Sequence, residues 1–247
     1  MMLSVQKYGA VLCDIEGTTT SIAFVKDVLF PYCAKNVEEY LKQNIREPSF
    51  QPVVQALIED SKKANQQDSQ VKLINDSNDY KTLAENVRHF IQKDLKLTSL
   101  KDLQGQMWID GYKTGAYKSH VYEDTVRLFE QCRTNKIPLF IYSSGSVLAQ
   151  KLLFQYTERG DLSKFISDYY DTNFGAKTDQ KSYSKIANHI RTAPEKILFL
   201  TDVDKEAHAA KSAGLNVTIL IREGNVPLSE ECKKEFQTVG SFDELKF

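Results

Sequence analysis

The sequence is poor in cysteine and histidine, and those it has are scattered. Cys13, Cys33, Cys132 and Cys232 show no C-x-x-C spacing, and His89, His120, His189 and His208 lie near no cysteine pair. A thiolate zinc site is therefore not expected, and a reducing compartment is. Charge of one sign is also lacking. The 32 basic residues stand against 33 acidic ones, a net charge of −1, and no dense Lys/Arg block occurs. Nucleic-acid and membrane-surface partners are thereby excluded from the expectation. Long apolar runs are missing as well: the longest uncharged stretch, 137–150, is too short and too serine-rich to span a bilayer. The N-terminus, MMLSVQKYGA, has neither the apolar core of a signal peptide nor the Arg-rich amphipathy of a transit peptide. The expectation is a cytoplasmic protein, with a nuclear pool allowed, that acts as a monomer on a small molecule.

What is present is ordinary globular composition, 41% hydrophobic and 26% charged, over 247 residues, enough for a substantial core. Strand-length apolar runs recur in the second half, in "IPLFIYSSGS" (137–146), "KILFLTDVDKE" (196–206) and "NVTILIREG" (216–224), and "VLCD" near the N-terminus is one more. Continuous apolarity without alternation suits parallel strands covered on both faces. Helical patterns separate them at 147–156, at 183–190 and in "KEAHAAKSAG", which closes on Gly214 as a C-cap. This alternation predicts an α/β protein with a doubly wound parallel sheet. From 22 to about 120 the pattern changes to helical-period apolar residues, Leu83, Val87, Phe90, Ile91 and Leu95, with no convincing strand. The polar stretch "EDSKKANQQDSQ" (59–70) reads as a loop or loose helix end. The economical account is a helical cap, 23–119, inserted into a core made of 1–22 and 120–247. No repeat is found, and the tail after Arg222 is uninformative.

Ligands of an open parallel sheet bind at the carboxyl ends of its strands. Those ends here carry Asp14 and Glu16, then Ser143, Ser144, Gly145 and Ser146, then Asp202 and Asp204, with Lys177 in the "DTNFGAK" loop. Asp and Thr after a strand can simply cap the next helix. Capping alone does not require acids, hydroxyls and a cation on one rim, whereas a phosphate-and-metal site does. Asp14 fits a nucleophile that takes phosphorus as an aspartyl-phosphate. Glu16, two residues on and on the same side of an extended chain, fits a proton donor and acceptor. Asp14 and Asp202 offer oxygen ligands suited to magnesium. Ser143 and Lys177 would hold phosphoryl oxygens, and Gly17 would let the backbone approach them. Elsewhere the plainer structural reading is favoured: His120 as a packing or surface residue, Met107 and Trp108 as cap core, Tyr112, Lys113 and Lys118 as a solvated hinge instead of a phosphate lid, and Cys13 as a small hydrophobe.

These residues resemble the haloacid dehalogenase superfamily, whose phosphatases carry D-x-D-G-T, a strand-end Ser/Thr, a lysine and an acidic motif. The blocks "CDIEGTTTSIAFVKDVLFPY", "LQGQMW", "YSSGSVLAQKLLF" and "LFLTDVDKEAHAA", in that order, are more specifically similar to the enolase-phosphatase (acireductone synthase) family of methionine salvage. Glu16 is the most telling residue, since other superfamily phosphatases usually have Asp there. The resemblance implies a nucleophile at Asp14, an acid/base at Glu16 that also offers the metal its backbone carbonyl, paired serines at Ser143 and Ser144, a lysine at Lys177 and a third metal position at Asp202. Asp202 and Glu206 then form the functional acidic pair, with Asp204 outside it. It also implies magnesium, a Rossmann-like core under a cap, and a substrate of the 2,3-diketo-5-methylthiopentyl phosphate type. The alternatives are a related phosphatase acting on a sugar phosphate or phosphoglycolate-type substrate, and a phospho-accepting receiver module. A receiver has no place for the insertion and leaves Glu16 idle.

Overall fold

A computed structural model describes residues 7–245. The chain divides into two compact units, Met1–Val25 with Lys118–Phe247, and Lys26–Tyr117. Residues 23–25 and 118–119, expected in the insertion, thus fall to the first unit. Ser119 is held there because its N–H donates to Tyr156 O at 2.9 Å and its carbonyl accepts from Glu158 N at 2.9 Å.

In chain order, β1 (Ala10–Cys13) is followed by a short helical turn, α1 (Ile22–Phe24), capped by the Ser21 hydroxyl. The second unit holds α2 (Phe30–Asn44), α3 (Gln51–Asn65), α4 (Tyr80–Gln92) and α5 (Thr98–Lys113). Its core gathers Val37, Leu41, Val54, Leu57, Leu83, Val87, Phe90, Leu103 and Met107, residues at the three- and four-residue spacings that put one stripe of each helix inward. The Asp79 carboxylate caps α4 by accepting from Thr82 N at 3.1 Å. Leu95 lies beyond the end of α4 and is exposed, so it is not part of that stripe. The polar stretch 59–70 is a helix end followed by a turn: residues 59–65 form the last turns of α3, and 66–70 lie outside the helix. Ser61 stays buried there by donating to Leu57 O at 2.8 Å, and Asp60 accepts from the Ser99 hydroxyl at 2.6 Å. Trp108 donates its indole N–H to Leu29 O at 3.2 Å within this unit.

The chain re-enters the first unit with α6 (Glu123–Thr134), β2 (Leu139–Tyr142), α7 (Val147–Gln155), β3 (Ile166–Tyr170), α8 (Gln180–His189), β4 (Ile197–Thr201), α9 (Asp204–Ser212), β5 (Asn216–Leu220), α10 (Glu230–Glu235) and β6 (Gln237–Val239). All strand pairs are parallel, in the order β3-β2-β1-β4-β5-β6. Successive strands run outward from β1 in one direction and from β4 in the other, so the order reverses at β1/β4, the position at which open parallel sheets bind ligands beyond their carboxyl ends. Every residue of β1, β2 and β4 is buried. On one face Leu12, Tyr142 and Phe199 pack with Tyr183 and Ile186 of α8 and Ala210 of α9. Cys13 alternates to the other face, beside Cys132 of α6. The six-stranded sheet flanked by helices is the α/β, doubly wound arrangement. It adds two edge strands, β3 and β6, which the apolar runs did not reveal. No helix among the described residues is long and apolar enough to cross a membrane.

Candidate active site

Asp14 continues β1 by one residue, its N–H donating to Leu200 O of β4 at 2.8 Å. Its side chain is almost wholly buried, and Oδ1 accepts from the Lys177 ammonium at 2.5 Å. The same ammonium lies 2.7 Å from Glu206 Oε2, which also accepts from the Thr201 hydroxyl at 2.9 Å. Burial alone would depress the Lys177 pKa. The charges of Asp14 and Glu206 outweigh it and raise the pKa instead, so this lysine is a fixed cation. Its loop is held by three hydroxyls: Tyr142 donates to Gly175 O at 2.8 Å, Ser182 to Ala176 O at 2.8 Å and Tyr183 to Lys177 O at 2.7 Å.

The loop after Asp14 is pinned just as closely, which accounts for its threonines. Ile15 O accepts from the amides of Thr18, Thr19 and Thr20 at 3.2, 2.9 and 3.0 Å. Thr19 Oγ1 donates to Asp14 O at 3.1 Å, and Thr19 O in turn accepts from Thr125 Oγ1 at 2.9 Å. Thr20 Oγ1 donates to His120 O at 2.5 Å, and His120 Nδ1 accepts from Ser21 N at 3.1 Å, so His120 serves the loop's packing. Glu16 is partly exposed two residues beyond Asp14. Gly17 has φ +72°, and a Cβ there would overlap Asp202 Oδ2. Asp202, one residue past β4, thus faces the loop that carries Asp14. Gly17→Ala is expected to displace that carboxylate and lower turnover on the order of 10²-fold, while the melting temperature falls only modestly. Parent-like kinetics would show that this close approach is idle.

The remaining expected residues divide. Ser143, just past β2, is buried, and its hydroxyl accepts from Gly145 N at 3.3 Å. Ser144 is exposed on the following bend. Gln150 of α7 braces this turn by donating to Gly145 O and Tyr170 O, both at 2.8 Å. Asp204 does not join the cluster: its carboxylate pairs with His208 at 2.8 Å along α9. Asp14, Lys177, Glu206 and Asp202 are therefore the group that the sheet brings together, with Ser143 on the same rim.

Three carboxylates around one ammonium leave an excess of negative charge. Burial and then the Asp14 charge push the Asp202 carboxyl up to about 8, and the same two causes push Glu206 up to about 7. Ordinary carboxyls titrate near ~4, so in the metal-free protein the folded state keeps protons that the unfolded chain would lose. Stability is then present at low pH and lost as pH rises through 7 to 8. Thermal melts in chelator should show this decline, and magnesium, by replacing the protons, should flatten it. A melting temperature independent of pH over this window without metal would contradict the charge excess.

A family model described as haloacid dehalogenase-like hydrolase matches residues 8–214. Enolase-phosphatase E1 of Anopheles gambiae is 50% identical over 242 residues, covering 96% of this chain and 82% of that one. Enolase-phosphatase E1 of Caenorhabditis elegans is 43% identical, with 97% of each chain covered. Among solved structures, the UTR4 protein of Saccharomyces cerevisiae superposes with a TM-score of 0.78 at 33% identity, over 96% of this chain and 100% of that one. With identity at this level along nearly its full length, the chain belongs to the enolase-phosphatase E1 family of the haloacid dehalogenase-like hydrolases.

Proposed function

We propose that the chain is a bifunctional enolase-phosphatase, turning 2,3-diketo-5-methylthiopentyl 1-phosphate into the acireductone with release of phosphate. The observation that carries the chemistry is the buried Asp14–Lys177–Glu206 contact at the β1/β4 reversal, with Asp202 beside it. A carboxylate fixed by an adjacent ammonium at the end of a strand is placed to attack phosphorus. In this reading Asp14 forms the aspartyl-phosphate and Glu16 protonates the departing oxygen, then takes a proton from the water that hydrolyses the intermediate. Lys177, Ser143 and Ser144 hold the phosphoryl oxygens while charge builds on them. Glu206 keeps Lys177 aimed at Asp14.

The residues fit magnesium. Among the described residues no three His, Cys, Asp or Glu side chains form a ready-made metal cage, but magnesium takes only one or two carboxylates and fills its shell with water and phosphate. Asp14 and Asp202, with the Glu16 carbonyl, would hold it, and the protons retained on Asp202 mark a place where a cation is wanted. When bound, the metal neutralises the repulsion between Asp14 and the phosphate. The helical unit Lys26–Tyr117 is the proposed cap that selects the substrate, and a cytoplasmic monomer is the proposed setting, the compartment following from the scattered cysteines.

Incubation with the diketo phosphate is expected to yield inorganic phosphate together with a reducing enediol. Chelator should abolish both products and magnesium restore them, with little turnover in calcium, whose looser coordination suits the site poorly. Phosphate release from sugar phosphates or phosphoglycolate without enediol formation from the diketo compound would favour the related-phosphatase reading.

A further inference from the structure

The loop that leaves β5 reaches the same rim. Gly224, at φ +85°, takes the left-handed conformation, and the next residue, Asn225, donates its side-chain amide to Gly17 O at 2.9 Å and to Leu220 O at 3.2 Å. Two carbonyls on the nitrogen fix the orientation of the amide, because exchanging its ends would set oxygen against both. Oδ1 therefore faces the other way. It is buried and has no hydrogen-bond partner among the described residues, an arrangement that native interiors rarely tolerate without water or a ligand.

The surroundings of this oxygen narrow what could meet it. It lies 2.7 Å from where a Cβ on Gly17 would stand, the position that Asp202 Oδ2 also crowds. Gly17 has no side chain, and the ionised Asp202 carboxylate, the form that would hold a metal, is like the amide oxygen an acceptor. With Asp202 ionised, no donor among the described residues meets this oxygen, and a bound water can supply one. Magnesium retains several of its waters, each of which needs acceptors around it. Arg222, three residues earlier, supports the same loop differently: it is buried against Asp124 at 2.8 Å and donates to Thr18 O at 3.3 Å. Two successive carbonyls of the nucleophile loop are thus held from the β5 side.

We infer that Asn225 is a positioning residue of the cation site, its nitrogen fixing the Gly17 backbone and its oxygen accepting from a water carried by magnesium. This rests on the reading that Asp14 and Asp202 hold that metal. Calorimetric titration of magnesium chloride into the full chain tests it without reference to turnover. Asn225→Ala should weaken magnesium binding about 10- to 100-fold, the range for residues that orient metal ligands from outside the coordination shell. Its melting temperature in chelator should move by only a few degrees. If the alanine variant does not fold, Asn225→Ser, whose hydroxyl can still reach one carbonyl, gives the answer. Val226→Ala, at a neighbouring position that is 77% exposed, should bind like the parent. Magnesium affinity within about twofold of the parent in the folded Asn225 variant overturns the inference. A parent that binds no magnesium overturns the metal reading itself, and the inference with it.

Discussion

Asp14→Asn is expected to fold, bind magnesium weakly and turn over about four to six decades more slowly than the parent, the scale seen when a covalent nucleophile is removed. The carboxamide has nearly the volume of the carboxylate, so the packing around a side chain that is 4% exposed is preserved. The ion pair with Lys177 is lost, yet the ammonium keeps Glu206 at 2.7 Å, and the buried cation does not become an orphan. Removing the Asp14 charge also takes away a cause that holds the Asp202 and Glu206 carboxyls up. Both should then titrate closer to ordinary values, and the pH-dependent loss of stability in chelator should shrink. Rapid quench with labelled substrate should trap a phosphoryl group on the parent and none on the variant. Label found on any residue other than Asp14, or turnover within tenfold of the parent, would remove Asp14 from the nucleophile role.

Much of this site could be read from the sequence because the residues that carry it directly follow fully buried strands. Asp14 succeeds "AVLC", Ser143 succeeds "LFIY" and Asp202 succeeds "ILFLT", runs whose unbroken apolarity marks strands covered on both faces. The edge strands gave no such signal. β3 reads "ISDYY" with Ser167 and Asp168 exposed, and β6 is the three residues "QTV". A strand paired on one side only leaves more of its residues in solvent, and its composition then resembles a loop. Contacts that depend on distant loops were also hidden. Asn225 lies 208 positions from Gly17 in sequence, and Arg222 98 from Asp124. No periodicity links such pairs, and the one available hint was that "REGN" follows the β5 run at the carboxyl end. Glu206 was legible as an acid one turn into a helix. Its contact with Lys177 beside Asp14 was not, because the motif shows spacing and not direction.

Lys177→Met is expected to be the most damaging change to the fold and the site together. The lysine is 8% exposed, and its ammonium is the cation between Asp14 and Glu206. Methionine fills most of the stem's volume, so the loss is one of charge and not of packing. Two buried carboxylates would then face each other, and Asp202, with no compensating cation; breaking a buried pair by removing one partner costs about 3–5 kcal/mol. The variant can escape by keeping protons on Glu206 and Asp202, whose carboxyls are already raised in the parent. Its stability should therefore fall more steeply than the parent's as pH rises, since the folded state now holds still more protons than the unfolded chain. Urea titrations at pH 6 and pH 8 in chelator should show a larger gap between the two for the variant than for the parent, and magnesium should recover more of it. Turnover should fall by about three decades or more even in magnesium, because Asp14 loses the contact that orients it and the phosphoryl oxygens lose their fixed positive charge. Lys177→Arg separates the two effects. It restores a charge and much of the stability, but its planar head cannot occupy the place of an ammonium lying 2.5 Å from Asp14 and 2.7 Å from Glu206, so turnover should stay low. Recovery of turnover to within tenfold of the parent in the arginine variant would mean that Lys177 supplies only charge balance, and that phosphate is held by other groups.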